Sequence, residues 1–216
     1  MLPLDKIAVV GPGRLGTALS AALGDAGLTV EGPLGRGVAP TAPVVLLCVP
    51  DGEIERAHPG GGHIVGHCSG ASPLGRCDFS LHPLMTVPES GARFAGVPAA
   101  IAGHAVAREL AERLGMVPFT VAEEDRAAYH AAAAMASNFL VILESAAERV
   151  AATAGVERQT LVPLVRATVE NWATQGRAAL TGPIARGDVQ TLDRHRAALR
   201  ERAPELLPMY EALATC

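Results

Sequence analysis

The chain has 216 residues, of which 49% are hydrophobic, and a formal net charge of −4. This length allows one large or two small domains with a substantial core. The acidic balance and the scattered arginines argue against nucleic acid or a membrane as a partner. We expect no signal peptide and no membrane-spanning run, and hence a cytoplasmic protein. Four cysteines without C-x-x-C spacing predict reduced thiols and no metal site.

Three glycines, Gly11, Gly13 and Gly16, follow the apolar run 7–10 and precede a predicted helix at 17–23. A strand, G-x-G-x-x-G and a helix in this order are how a dinucleotide pyrophosphate is held. The first glycine permits the turn, the second lets the backbone approach the phosphates, and the third allows close packing. Residues Gly11, Gly13, Arg14, Leu15 and Gly16 are therefore predicted to bind the cofactor. The alternative is a glycine-rich turn without a ligand.

The first half of the chain alternates predicted strands with helices. Strands are expected at 28–31, 44–49, 63–67, 80–84, 98–102 and 117–121, a loop at 32–37, a short turn or helix at 52–57, and a helix at 105–114. This alternation predicts an α/β fold with a parallel, doubly wound sheet.

The composition changes near Glu123. Helices are expected at 123–154, 159–176, 188–202 and 204–214. We place the dinucleotide-binding domain at 1–121 and an all-helical domain at 122–216.

Two residues after the second strand bear on the choice of cofactor. Arg36 can pair with the 2′-phosphate of NADP, whereas Glu31 stands where an acid would hold the ribose hydroxyls of NAD. We favour Arg36 and NADP, although Glu31 can also be a strand residue that faces away. The segment from Arg36 to Val44 is too short for the usual helix and strand, which would trim the adenine side of the pocket.

Several polar residues follow buried strands, at the sheet edge where nicotinamide and substrate are expected. Val49 and Pro50 are predicted to border the cofactor, and Ser69 either binds a substrate oxygen or only shapes its turn. His82 follows a strand at this edge, and His130 lies on the first face of the predicted long helix. On these facing segments both are candidate proton donors for a carbonyl or imine reduction, because imidazole titrates near neutral pH. Asn138 is a candidate for orienting the substrate or the nicotinamide amide.

Two further positions concern substrate binding. Lys6, the only lysine, lies at the start of the first strand, so a catalytic lysine is not expected. In the segment 181–188, interpreted as a loop, Asp188 is a good helix N-cap. Arg186 is the candidate for binding an acidic substrate, in its own subunit or across a dimer.

Six motifs together resemble one protein family. They are GPGRLG at 11–16, LLCVPD at 46–51, HCSGA at 67–71, SLHPL at 80–84, YHAAAAMASN at 129–138 and LTGPIARGD at 180–188. The chain resembles Rossmann-like proteins with a DUF2520 C-terminal domain, in the 6-phosphogluconate dehydrogenase-like superfamily.

This resemblance implies an NADP-dependent oxidoreductase with a helical C-terminal domain through which the superfamily often dimerises. Many relatives use a lysine four residues before the asparagine matched by Asn138, but Ala134 stands there. That departure shifts the expected proton transfer to His82 and His130. Ketopantoate is the leading specific substrate. The alternative function is a non-catalytic dinucleotide or metabolite sensor, or an accessory protein.

Overall fold

A seven-stranded sheet forms the N-terminal part of the molecule. The computed structural model describes residues 4–89 and 91–215. The strands are β1 (Lys6–Val10), β2 (Thr29–Leu34), β3 (Val44–Leu47), β4 (Ile64–His67), β5 (Phe79–Pro83), β6 (Pro98–Gly103) and β7 (Val117–Thr120). Their order across the sheet is β2-β1-β3-β4-β5-β6-β7. The α/β class expected from the sequence is confirmed.

The sheet is mostly parallel, but it departs from the all-parallel expectation at one pair. β5 and β6 are antiparallel, with Leu81 opposite Ile101, while β6 and β7 are parallel to each other. The apolar pattern of a buried strand is the same in either direction, so the sequence did not specify which way β6 would run.

The second strand is longer than predicted. Residues 32–34 were expected in a loop but belong to β2, whose register against β1 shifts between Ala8 and Val10. Gly32 and Pro33 resemble turn residues, yet both are tolerated in an irregular edge strand such as β2. No helix or strand follows in 35–43, as the short segment predicted.

Both faces of the sheet are covered, as expected for a doubly wound arrangement. Alternate residues of the central strands point to opposite faces, so Ile7 and Val9 join one buried cluster while Ala8 and Val10 join the other. Helices α1 (Arg14–Asp25) and α3 (Val106–Arg113) supply residues to the first cluster, and α2 (Ile54–Ala57) supplies Ile54 to the second.

The rest of the chain is helical. The helices are α4 (Arg126–Ala134), α5 (Leu140–Ala152), α6 (Arg158–Gln175), α7 (Gly182–Arg186), α8 (Val189–Arg202) and α9 (Leu207–Ala214). A π-helical turn at Met135–Phe139 joins α4 to α5, so the predicted long helix is continuous. The segment 181–188, expected as a loop, contains α7 because Pro183 favours the first turn of a helix. Asp188 caps α8 by accepting from the Thr191 amide, as predicted.

The chain divides into two compact units between Ser137 and Asn138, inside this long helix. The helix spans Glu123–Ala152 and is long and apolar enough to cross a membrane by length and composition, which the sequence analysis did not anticipate. A single helix of this kind is weak evidence for a membrane span.

Leu110 tests the packing of α3 against the sheet. Because its side chain is fully buried, Leu110→Ala should lower the free energy of unfolding by about 2–5 kcal/mol. Val117→Ala is the control: Val117 is 57% exposed on β7, and its change should cost less than about 1 kcal/mol. Urea denaturation measures both, and equal losses would contradict the described core.

Candidate functional site

The glycine-rich loop between β1 and α1 has the geometry of a phosphate-binding turn. Gly11 has φ of +114°, a conformation that favours glycine. A Cβ on Gly11 would collide with the Cys48 carbonyl, and one on Gly16 would collide with the Gly11 carbonyl. A Cβ on Gly13 would meet no protein atom within 4 Å, so this side of the loop is open. Gly13 is the N-cap of α1 and provides no side-chain cap, which suits anion binding by the helix amides.

A cavity of about 480 Å³ borders this loop. Its walls are residues 10–13, the segment 34–40, the loop 48–50 after β3, Glu53 and the stretch 56–59. The structure thus brings Gly11, Gly13, Arg36, Val49 and Pro50 around one space, and their binding of a cofactor stays a prediction. Arg14 and Leu15 lie in the first turn of α1 behind the loop.

Two arginines border the cavity, of which the sequence identified one. Arg36 is largely exposed, and its guanidinium lies 3.4 Å from a carboxylate oxygen of Glu53. Arg56 lies 2.9 Å from the same carboxylate. Arg56 was not predicted, since the turn between Pro50 and Ala57 gave no indication of which side chains would face the cavity. Both guanidinium groups thus line the cavity while paired with the Glu53 carboxylate.

Glu31 is occupied within the protein. Its carboxylate accepts hydrogen bonds from the backbone of Thr41 and Ala42 and from the Thr41 hydroxyl. Burial raises the pKa of Glu31, but the Thr41 hydrogen bonds and the Lys6 ammonium 3.5 Å away outweigh it and hold the pKa below its ordinary value. Glu31 thus ties down the short segment after β2. Lys6 lies at the start of β1, as predicted.

A second cluster of polar residues lies at the end of β5. The centres of the His82 and His130 rings are 5.9 Å apart, and Nδ1 of His82 is 2.7 Å from the Tyr129 hydroxyl oxygen. Gly70, in the loop after β4, fits between the two imidazoles, since a Cβ there would be 2.8 Å from both rings. The facing of His82 and His130, which the sequence analysis assumed, is therefore present within the first unit.

Arg126 fixes this cluster from the helix side. Its side chain is buried, and its two terminal nitrogens donate to the Ser80 hydroxyl at 3.0 Å and to the Ser69 carbonyl at 2.8 Å. Its Nε is buried without a partner among the described residues. Sequence reasoning missed Arg126 and Tyr129. The spacing of Arg126, Tyr129 and His130, at i, i+3 and i+4 on one helix face, was the available signal.

The electrostatics of the cluster favour neutral side chains. Burial, the neighbouring His130 and the Arg126 guanidinium lower the pKa of His82 to about 4. Burial raises the pKa of Tyr129, and Arg126 opposes this only in part. Both groups are consequently uncharged at neutral pH. His82 can donate a proton there only from its neutral form.

The residues around Ser69 form an ordered turn. The Ser69 hydroxyl oxygen accepts from the amides of Ala71 and Ser72, which shapes the turn, and its binding of a substrate oxygen stays a prediction. His67 is fully buried, and its Nδ1 accepts from the Ser69 amide, which leaves Nε2–H to donate to the Pro73 carbonyl. Burial, followed by the charge of Arg126, lowers the pKa of His67, which is therefore a neutral, structural histidine.

The remaining predicted residues belong to the second unit. Asn138 lies in the π-helical turn, and Arg186 is exposed at the end of α7. Their roles stay predictions. Cys48 and Cys68 lie with sulfur atoms 3.6 Å apart beside the glycine loop. No group of three or more His, Cys, Asp or Glu able to hold a metal occurs in the described residues, and Cys216 lies outside them.

Solved structures share this fold at low sequence identity. An NADP oxidoreductase candidate from Bacteroides fragilis has a TM-score of 0.83 at 20% identity, over 98% of this chain and 96% of that chain. Protein TM1727 from Thermotoga maritima has a TM-score of 0.74 at 23% identity, over 97% and 95%. A reductive aminase from Aspergillus terreus, solved with NADPH and ethyl levulinate, has a TM-score of 0.69 at 15% identity, over 98% and 92%. These similarities establish the Rossmann-like fold followed by a helical domain.

Comparison of sequences identifies the family of the C-terminal part of the chain. No curated protein matches the chain significantly. The family model described as "Domain of unknown function (DUF2520)" matches residues 94–216, which is more than half of the chain. The chain therefore belongs to the DUF2520 family.

Proposed function

We propose that this protein is an NADP(H)-dependent oxidoreductase that reduces the C=O or C=N group of a small acidic metabolite in the cytoplasm. The observation that carries the proposal is the position of two features at one sheet edge. The glycine loop follows β1, while Ser69 and His82 lie at the carboxyl ends of β4 and β5, which run parallel to β1 through β3. Ligands of such sheets bind at this edge.

The loop and cavity fit the cofactor. The open face of Gly13 and the uncapped start of α1 suit a pyrophosphate, and Arg36 with Arg56 suits a 2′-phosphate. Because Glu31 is held by Thr41 and Ala42, it is not free for ribose hydroxyls, which favours NADP over NAD. The reductive aminase solved with NADPH shares the fold. When bound, the cofactor would supply the hydride.

The protein's own residues would bind the substrate and supply the proton. His82 or His130 protonates the reduced atom, because both imidazoles adjoin Gly70 at the same edge. Ser69 orients the substrate. Asn138 and Arg186, which belong to the second unit, keep the substrate-orienting and carboxylate-binding roles predicted from the sequence. Ketopantoate is the specific substrate we put forward, since a small 2-oxo acid carries both the carbonyl and the carboxylate that these residues address.

We also propose a homodimer through the helical unit. Large apolar side chains on α5 and α6 and just before them are exposed there, namely Phe139, Val141, Ile142, Leu143, Leu164, Val169 and Trp172. Contiguous exposed apolar surface marks interaction sites. A second copy is the occupant we propose, because an apolar face can match itself under two-fold symmetry.

Gly13→Ala tests the cofactor site and the activity together. A methyl group there meets no protein atom, so folding should be retained while the approach of the phosphates is blocked. We expect NADPH to bind at least about tenfold more weakly and ketopantoate-dependent NADPH oxidation to fall. Gly24→Ala, also in open space but at the far end of α1, is the control. Undiminished NADPH binding by Gly13→Ala would refute the site; binding without turnover of any tested 2-oxo acid would favour a sensor.

Arg36→Ala tests the choice of nucleotide. Loss of a cation beside the 2′-phosphate should weaken NADPH binding by roughly tenfold and leave NADH binding nearly unchanged, because only NADPH carries that phosphate. Fluorescence titration measures both. Arg76→Ala, which removes an exposed arginine outside the cavity, should change neither. Equal weakening of both nucleotides would rule out the phosphate role.

Trp172→Glu tests the dimer. In analytical ultracentrifugation, the wild-type protein should have twice the 22.2 kDa mass of one chain. The variant should have the mass of a monomer, because the new carboxylate would be buried at the interface. Val189→Glu, which alters an exposed residue on α8, should remain dimeric. A monomeric wild-type protein would disprove the proposal.

A further inference from the structure

The Tyr129 hydroxyl has no part in the function proposed above, yet it makes the hydrogen bond of the His82 ring. The oxygen lies 2.7 Å from Nδ1, and the two rings meet edge to face at 5.6 Å. Phe119 also packs edge to face against Tyr129, with ring centres 5.9 Å apart. These contacts hold the phenol in one position relative to the imidazole.

The geometry determines which ring nitrogen carries the hydrogen. Burial keeps Tyr129 protonated, so its hydroxyl donates to Nδ1 and the hydrogen of the neutral ring resides on Nε2. Nε2 of His82 has no hydrogen-bond partner among the described residues. It is also not fully buried, since the buried polar atoms without a partner are on Ser20 and Arg126. The Nε2–H group is therefore available to a ligand.

A neutral imidazole is a weak acid, so it cannot give up Nε2–H unless a second proton arrives at Nδ1. Tyr129 is placed to supply that proton. The groups that act on His82 are Arg126, His130 and Asp51, in addition to Tyr129 itself. Arg126, one turn before Tyr129, is a buried cation with no ion pair among the described residues, and its charge favours the phenolate.

We propose that Tyr129 is the proton reservoir of this site and acts through His82. As the reduced oxygen or nitrogen takes the proton of Nε2–H, the Nε2–H bond breaks, an Nδ1–H bond forms, and the O–H bond of Tyr129 breaks. Arg126 stabilises the resulting phenolate until a solvent proton restores the starting tautomer. Tyr129 is thus a positioning and proton-supplying residue. This proposal rests on the reductase function proposed above.

Tyr129→Phe tests the proposal, and the chain provides a matched control. Its only other tyrosine, Tyr210, also places its hydroxyl beside a histidine, 2.9 Å from Nδ1 of His195 in the second unit. Tyr210→Phe should therefore leave His82 unaffected. His82→Asn identifies the His82 signals among those of the seven histidines.

The first measurement needs no substrate. Nitrogen NMR of histidine-labelled protein should show His82 in the Nε2–H form, with Nδ1 accepting a hydrogen bond, in wild type and in Tyr210→Phe. Tyr129→Phe should remove that hydrogen bond and yield a mixture of tautomers. Identical His82 signals in all three proteins would overturn the proposal, whether or not the protein proves to be a reductase.

The second measurement is ketopantoate-dependent NADPH oxidation across roughly pH 6 to 9. Wild type and Tyr210→Phe should keep a constant kcat. In Tyr129→Phe the imidazole must take its second proton from solvent, so kcat should be about 100-fold lower at pH 6, two units above the His82 pKa of about 4, and should fall about tenfold further per pH unit. KM should change little. A Tyr129→Phe enzyme with unchanged kcat, or a reduced kcat independent of pH, would overturn the relay. Absence of oxidation by wild type would count against the reductase function alone, and the NMR result would still decide the tautomer.

Discussion

The candidate active centre depends on the buried guanidinium of Arg126. Its hydrogen bonds to Ser69 and Ser80 join the helix α4 to the loop after β4 and to β5 itself. Because Tyr129 and His130 follow on the same helix face, these bonds also set the positions of both rings against His82. A buried cation loses hydration that only such hydrogen bonds replace, so the arrangement tolerates little change at Arg126.

The same charge shapes the chemistry of the cluster. Burial and two neighbouring groups, His130 and Arg126, keep His82 neutral. The positive centre of the cluster is the Arg126 guanidinium, and neither imidazole has a hydrogen-bonded carboxylate among the described residues. Such a site favours an anionic substrate or negative charge that develops on an oxygen. Gly70 leaves room for the two imidazoles, since any side chain at this position would collide with both rings.

The sequence predicted much of the fold because local rules govern it. The glycine loop, the strands of the sheet and the cap at Asp188 each follow from a few neighbouring residues, and the short segment after Arg36 followed from chain length alone. The direction of β6 did not, because pairing direction is set by chain connection and packing. Gly32 and Pro33 were misassigned since the same residues serve in turns and in irregular edge strands.

The sequence predicted which histidines belong to the candidate site, but not the residues that hydrogen-bond around them. His82 was found because it follows an apolar run at the expected sheet edge, and His130 because it lies on the first turns of the predicted long helix. Tyr129 and Arg126 were missed, since their hydrogen bonds join residues 46 to 57 positions apart and depend on how the helix meets the sheet. Arg56 was missed because the turn before it gave no indication of which side chains face the cavity. The low pKa of His82 has the same origin, as it comes from burial and from residues distant in sequence.

Deuterium transfer from labelled NADPH shows whether this protein is a reductase. Purified protein would be incubated with ketopantoate and NADPH that carries deuterium at the transferable position of the nicotinamide, and the product would be examined by mass spectrometry. The account predicts a reduced hydroxy acid with one deuterium on the former carbonyl carbon, formed by wild type and lost in His82→Ala or His130→Ala. Bound NADPH that never delivers deuterium to ketopantoate or to any other small 2-oxo acid or imine would contradict it.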